Sequence, residues 1–249
     1  MNAAYSLVFH FFPVLLLMSG CERLNEKEIC TEGDFFAPDH ILQVGLTLED
    51  SDWELLRNQS RSFITEFVGD CASVPFSGEY TYVPADVTID GQALSNIGVR
   101  KKGFIGSQST EKPSLKLNLD EYEAGAELFC TDNITLNNAV QDPSLVRQCI
   151  GYKLFSEAGI AAPLCNFAQV SVNGADLGTY VHVEPIKRSF LRRNFAEDNG
   201  ELYEGTLSDF SALRYRTFDP KNTDSDPNLT AIAVFSEALD SPDPGAELE

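Results

Sequence analysis

Arg100, Lys101, Lys102, Lys112 and Lys116 gather around a loop that contains Gly103, Gly106, Ser107 and Ser109, with Glu111 alone opposing them. The chain as a whole is strongly acidic, with a formal net charge of -20, so a local positive site needs a physical reason. Glycines let a backbone approach a ligand closely. The backbone N–H groups, together with ammonium and guanidinium groups, can then hold phosphate oxygens. The run therefore reads as a phosphate-binding site, or else as a solvated hairpin whose basic residues offset an acidic surface.

Strands and turns must position these groups. Val87–Ile89 and Ile97–Arg100 form two strands joined around Asp90-Gly91, a hairpin signal. Leu115, Leu117 and Leu119 alternate with Ser114, Lys116 and Asn118, which predicts a strand with a leucine row facing the core. If that strand starts early enough, Lys112, Ser114 and Lys116 share its other face. His40–Leu48 is an earlier strand, and Glu49–Arg57 a short helix with Trp53 and Leu56 inward. Asp142-Pro143-Ser144 predicts a helix start with Asp142 as N-cap. Leu145, Val146, Cys149, Ile150, Leu154, Phe155 and Ala158 follow at helical spacing, and Gly159 ends the helix. Phe167–Val172 and Gly178–Glu184 form a second hairpin around Asn173-Gly174. Ser189–Phe195 reads as a basic helix, Glu201–Glu204 as a strand and Leu229–Leu239 as a last helix. Asp224-Ser-Asp226-Pro-Asn228 starts like a calcium loop, but Leu229 and Phe235 stand where that loop needs Gly and Glu, so it reads as a plain loop.

The ends and the composition restrict the function classes. Residues 1–20 hold an apolar run from Leu7 to Met18, followed by Ser19-Gly20-Cys21, which reads as a lipoprotein-type secretory signal with acylation at Cys21. An ordinary signal peptide with Cys21 as a plain cysteine is the alternative. Residues 21–39 form an acidic tether, and residues 40–249 the folded domain. This predicts an extracytoplasmic protein, lipid-anchored to a bacterial cell envelope, in a compartment that permits disulfides. Cys30, Cys71, Cys130, Cys149 and Cys165 remain after Cys21, without CxxC or His at zinc-ligand spacing, so a metal–thiolate site is not expected. Their pairing stays open, and Cys149 could equally be a buried thiol. The acidic charge argues against nucleic acid as a partner.

At this point four segments match a known pattern. They are Val99-Arg100-Lys101-Lys102-Gly103 with its serine-containing loop, and Lys112-Pro113-Ser114-Leu115-Lys116-Leu117. The third is Leu136-Asn137-Asn138 with Asp142–Arg147 and the helix ending at Gly159–Pro163. The fourth runs from Val172-Asn173-Gly174 through Gly178–Glu184 to Phe190-Leu191. Weaker matches stand at Leu202-Tyr203-Glu204-Gly205 and Lys221-Asn222. As a set, the chain resembles the spore coat protein H (CotH) family of atypical secreted protein kinases.

The resemblance implies an α+β fold: a kinase-like small lobe, its antiparallel sheet and hairpins packed on one central helix. It implies ATP as ligand, with Mg or another divalent metal. Lys112 would meet the phosphates, and Arg100, Lys102, Lys116 and the loop from Gly103 through Ser107 to Ser109 would cover them. The backbone at Glu184 and Ile186 would border the adenine. A kinase lysine is usually held by a helix carboxylate; the candidates here are Glu157 and Asp142. Plainer roles compete: Asp142 as a helix cap, Asn137 and Asn138 as turn formers, Glu184 paired with Lys187 or Arg188. The family's large lobe, with its catalytic and metal-binding aspartates, would follow Glu249, so the chain is expected to be a fragment with no catalytic residue of its own. The implied activity is transfer of the ATP γ-phosphate to Ser or Thr of a secreted or surface protein. The alternative is a non-catalytic envelope module, as in a coat, an adhesin or a cellulosome-associated component.

Overall fold

In the strand Val83–Ile89 every second residue is buried, and Val83, Ala85, Val87 and Ile89 turn to one side. The same alternation puts Leu42, Val44 and Leu46, then Leu115 and Leu117, then Ala168, Val170 and Val172 on the inner faces of their own strands. Seven such strands close on themselves. The computed structural model describes residues 35–62, 80–195, 197–206 and 208–241. The predicted leader, Cys21, the tether as far as residue 34, and Cys30 and Cys71 lie outside the described residues.

The strands are β1 (Ile41–Thr47), β2 (Val83–Ile89), β3 (Gln92–Lys102), β4 (Ser114–Asn118), β5 (Asn133–Asn137), β6 (Cys165–Val172) and β7 (Ala175–Val183). They form a closed barrel in the order β1-β2-β3-β4-β5-β7-β6. Neighbours are antiparallel except β1 and β6, which run parallel and complete the closure. Both expected hairpins form. The turn residues Asp90 and Gly91, and Asn173 and Gly174, all have positive φ, as a tight two-residue hairpin turn requires. β5 was not expected as a strand. A separate two-stranded sheet pairs β8 (Tyr203–Gly205) with β9 (Phe218–Pro220).

The kinase-like small lobe with a central helix is overturned by this barrel. A closed sheet covers its own apolar face with side chains from the opposite wall, so no central helix is needed and only Leu56 of a short helix joins the core. Helix α1 is Asp50–Asn58, with Leu56 buried. Helix α2, Arg147–Glu157, was expected at the centre, yet none of its residues is buried. Its apolar stripe faces outward, with Ile150 53%, Leu154 61% and Phe155 54% exposed. The helix also starts later than Asp142-Pro143 predicts, because Leu145 adopts positive φ (63°) and breaks the first turn. Asp142 still serves the helix from a distance. One carboxylate oxygen accepts from the Ser144 amide (3.1 Å), and the other accepts from the Arg147 amide at the first helical residue (2.9 Å).

A disulfide between Cys149 and Cys165 ties α2 to β6, so Cys149 is not a free buried thiol. Cys130 is disulfide-bonded as well. Helices α3 (Arg188–Asn194) and α4 (Thr230–Asp240) complete the chain. In the loop before α4, Asp226 accepts from the Asn228 and Thr230 amides (2.8 and 3.0 Å), a capping role. Among the described residues no helix is long and apolar enough to cross a membrane.

Candidate functional site

Strand alternation splits the run Arg100-Lys101-Lys102. Lys101 points inward, 1% exposed, and its Nζ donates to the carbonyls of Arg57 and Gln59 (both 2.7 Å). It closes the C-terminal end of α1, where a cation is favoured, and plays no part in the rim. Arg100 and Lys102 point the other way. In the register of β3 and β4, Arg100 lies opposite Lys116 and Lys102 opposite Ser114, so three cations share one face.

The environment of Lys102 sets its chemistry. Its Nζ donates to Asn137 Oδ1 at 2.7 Å. Burial of the ammonium lowers its pKa to about 8; Lys116 and Arg100 add to the effect and Glu204 opposes it. The Arg100 guanidinium lies 5.2 Å from the Tyr82 ring centroid, a cation–π contact. Its Nε is buried and has no hydrogen-bond partner among the described residues. An unsatisfied buried donor is costly, and the guanidinium to which it belongs lines the first cleft.

Two clefts meet at Lys102 and Gly103. The first, about 310 Å³, is lined by Arg61, Arg100, Lys102, Glu204, Asp219 and Lys221 among others. Lys221 bonds Glu204 at 3.0 Å and also Asp219, bracing the β8–β9 pair on one wall of the cleft. The second, about 370 Å³, runs past Ser107, Asn138, Gln141, Arg147 and Gln148. Both are large enough for part of a small-molecule ligand.

The glycine loop is held by its own packing. Gly103 (φ 108°) and Gly106 (φ 73°) adopt conformations that L side chains rarely take. A Cβ on Gly106 would come within 1.8 Å of Gln141 Nε2, and one on Gly103 within 2.6 Å of Ser107 Oγ. Ser107 Oγ accepts from the Phe104 amide (3.0 Å), and Ser109 Oγ from the Lys112 amide (3.0 Å). Asn138 Nδ2 donates to the carbonyls of Ser107 (3.0 Å) and Lys112 (2.7 Å), drawing both ends of the loop together.

Lys112, the residue carried over as the phosphate lysine, lines neither cleft. The strand begins at Ser114, after Pro113, so Lys112 escapes the strand's alternation. Its Nζ donates to the Thr179 carbonyl (2.7 Å) and lies 4.9 Å from the Tyr180 ring centroid. Glu184 and Ile186 also lie off both clefts. Asn137 pairs with Val181 on β7, and Glu184 stands three residues beyond it. Glu184 is 3% exposed; it accepts from the Leu164 amide (2.9 Å) and pairs with Arg193, not with Lys187 or Arg188. Ile186 is exposed. The structure thus brings Arg100, Lys102, Lys116, Gly103 and Ser107 together, and keeps Lys112, Glu184 and Ile186 apart from them.

Residues not expected at the site from the sequence complete the rim: Arg61, Asn137 (expected as a turn former), Gln148, Glu204, Asp219 and Lys221. The weak family matches at Leu202–Gly205 and Lys221-Asn222 were the available signal for the β8–β9 side. Among the described residues no group of three or more His, Cys, Asp or Glu is placed to hold a metal ion. In the first cleft the carboxylates are committed to Lys221, whereas the Arg100 guanidinium and the Lys102 ammonium offer donors to an anion.

A closed barrel whose rim concentrates cations beside an acidic surface defines a protein with a candidate anion site. The family model described as CotH kinase protein matches residues 99–235, more than half of the chain, and the chain belongs to that family. It is 34% identical over 70 residues to the inner spore coat protein H of Bacillus subtilis (strain 168). That alignment covers 28% of this chain and 19% of the relative, so the chain matches only a small part of the relative's length.

Proposed function

We propose that this chain binds the phosphates of ATP at the Arg100–Lys102 rim and serves a CotH-type protein kinase of the cell envelope. The observation that carries the reading is the convergence of Arg100, Lys102 and Lys116 on one face of the sheet, with the Arg100 guanidinium and the Lys102 ammonium lining the same cleft. Phosphate oxygens would accept from both groups in charge-assisted bonds. The activity proposed for the whole protein is transfer of the γ-phosphate to a Ser or Thr hydroxyl of a secreted or surface protein, releasing ADP. An extracytoplasmic location, with a lipid anchor at Cys21, is supported by the apolar leader and by the Cys149–Cys165 disulfide, a bond typical of oxidising compartments. The Bacillus relative is a spore coat protein by name, which agrees with an envelope or coat setting.

Calorimetric titration of ATP tests the reading. Arg100→Ala and Lys102→Ala should each weaken binding about tenfold or more, as loss of a charged hydrogen bond does. Lys112→Ala should leave it within about twofold, because that ammonium is committed to Thr179. Wild-type protein without measurable ATP affinity would sink the phosphate reading and leave the non-catalytic envelope module. Transfer itself is read by incorporation of labelled γ-phosphate into envelope proteins.

A further inference from the structure

The group that holds Lys102 leads away from the cleft to helix α2. Lys102 Nζ donates to Asn137 Oδ1 (2.7 Å), Asn137 Nδ2 to Gln148 Oε1 (2.9 Å), and Gln148 Nε2 to the Tyr152 hydroxyl (3.0 Å). All three donors point the same way along the chain, so each group offers an acceptor to the one before it. Hydrogen bonds in such series polarise one another, and the acceptor end rests on the ammonium. Among the described residues Lys102 has no ion pair, so these amides are what hold its ammonium.

Helix α2 is poorly anchored otherwise. It buries no side chain. Its fastenings among the described residues include the Asp142 bond to the Arg147 amide, the Arg147–Asp142 ion pair, the Gln148–Asn137 bond, and the disulfide from Cys149, the residue after Gln148, to Cys165. The disulfide therefore fixes the turn of the helix from which Gln148 reaches Asn137.

We propose that Gln148, acting through Asn137, is the positioning residue for Lys102, and that the Cys149–Cys165 disulfide keeps Gln148 in place. This deepens the phosphate reading of the same rim and depends on it for its effect on ATP binding. Lys102 also feels Arg100 on its own strand, Lys116 on β4 and Glu204 on β8. Arg61, Asp219 and Lys221 face it across the first cleft, and Asp142 and Arg147 across the second. None of these changes in the variants below.

The test is competitive acetylation of Lys102 in the full chain across a pH series, read by mass spectrometry, with thermal unfolding as the control for folding. Gln148→Glu keeps an acceptor for Asn137 and adds a negative charge, so the Lys102 pKa should rise by about half a unit or more. Gln148→Leu cuts the series and should weaken ATP binding about threefold to tenfold while the unfolding temperature stays within a few degrees of wild type. The double substitution Cys149→Ser, Cys165→Ser should displace the labelling curve of Lys102 in the direction opposite to Gln148→Glu, because a loosened Asn137 acceptor no longer favours the ammonium. An unchanged curve in Gln148→Glu overturns the role of Gln148, and an unchanged curve in the double serine variant overturns that of the disulfide. A pKa that responds to Gln148→Glu in a protein that binds no ATP would support the positioning and defeat the phosphate reading. Lys102-dependent ATP binding that ignores both Gln148 variants would do the reverse.

Discussion

His182 shows how one buried ring can tie stability to pH. It is fully buried, stacked on Phe36 at 4.3 Å between ring centroids, and its Nδ1 bonds Asn166 Oδ1 at 2.8 Å. Asn166 uses its Nδ2 on the carbonyls of Phe35 (3.0 Å) and Ala37 (3.2 Å), which assigns the proton of the histidine pair to Nδ1. Nε2 has no partner among the described residues, and burial lowers the ring pKa to about 3. An unfolded chain would titrate this ring near 6.5. Between about pH 6.5 and pH 3 the unfolded state therefore binds a proton that the native state refuses, and stability falls as pH falls. From pH 7.5 to 5.5 the loss is about 1.4 kcal/mol. Urea unfolding at the two pH values should show that difference in wild type and not in His182→Gln. Equal slopes in the two proteins would remove His182 as the cause.

The elements differ in what fastens them. Helix α1 is held by Leu56 and by the Lys101 ammonium on its last carbonyls. Helix α2 has neither, and is tied to the barrel by the Gln148–Asn137 bond and by the disulfide closing a separation of 16 residues. A loop of that length is worth about 3 kcal/mol in the chain-entropy view. Cys149→Ser with Cys165→Ser should lower the unfolding free energy by about 2–4 kcal/mol in denaturant titration; a change under about 0.5 kcal/mol would mean that other contacts anchor the helix. The outward apolar stripe of α2 predicts the opposite at Leu154, which is 61% exposed. Leu154→Ser should change stability by no more than about 0.5 kcal/mol.

For the whole molecule, the barrel interior is the source of stability. Leu115, Leu117, Ile134 and Leu136 are all fully buried on adjacent strands β4 and β5, facing the other walls. Leu117→Ala should cost about 2–5 kcal/mol, the range for a large-to-small change in a packed core, against the near-neutral Leu154→Ser. Comparable costs at the two sites would contradict the burial seen here. The acidic exterior, with net charge -20, leaves the rim of Arg100, Lys102 and Lys116 as a local exception, which favours a small anion over a nucleic acid.

Much of this was legible in the residues. Asp90-Gly91 and Asn173-Gly174 between alternating apolar runs called for hairpins, because a two-residue turn needs residues that accept positive φ. The leucine row of β4 declared its inner face, and the family was readable from its short motifs. Long-range pairing was not. Nothing local in Asn133–Asn137 shows that it lies between β4 and β7, or that β1 runs parallel to β6. Closure of the barrel gave the sheet its own core and turned the apolar stripe of α2 outward, although its helical spacing was read correctly. The same closure chose among the lysines. Alternation on β3 sent Lys101 inward and Lys102 to the rim, while Pro113 released Lys112 toward Thr179. The sequence by itself determined which residues could bind phosphate and which segments could turn or extend. Only the tertiary structure decided which cations meet, because that depends on strand register, and register is set by partners far away in the chain.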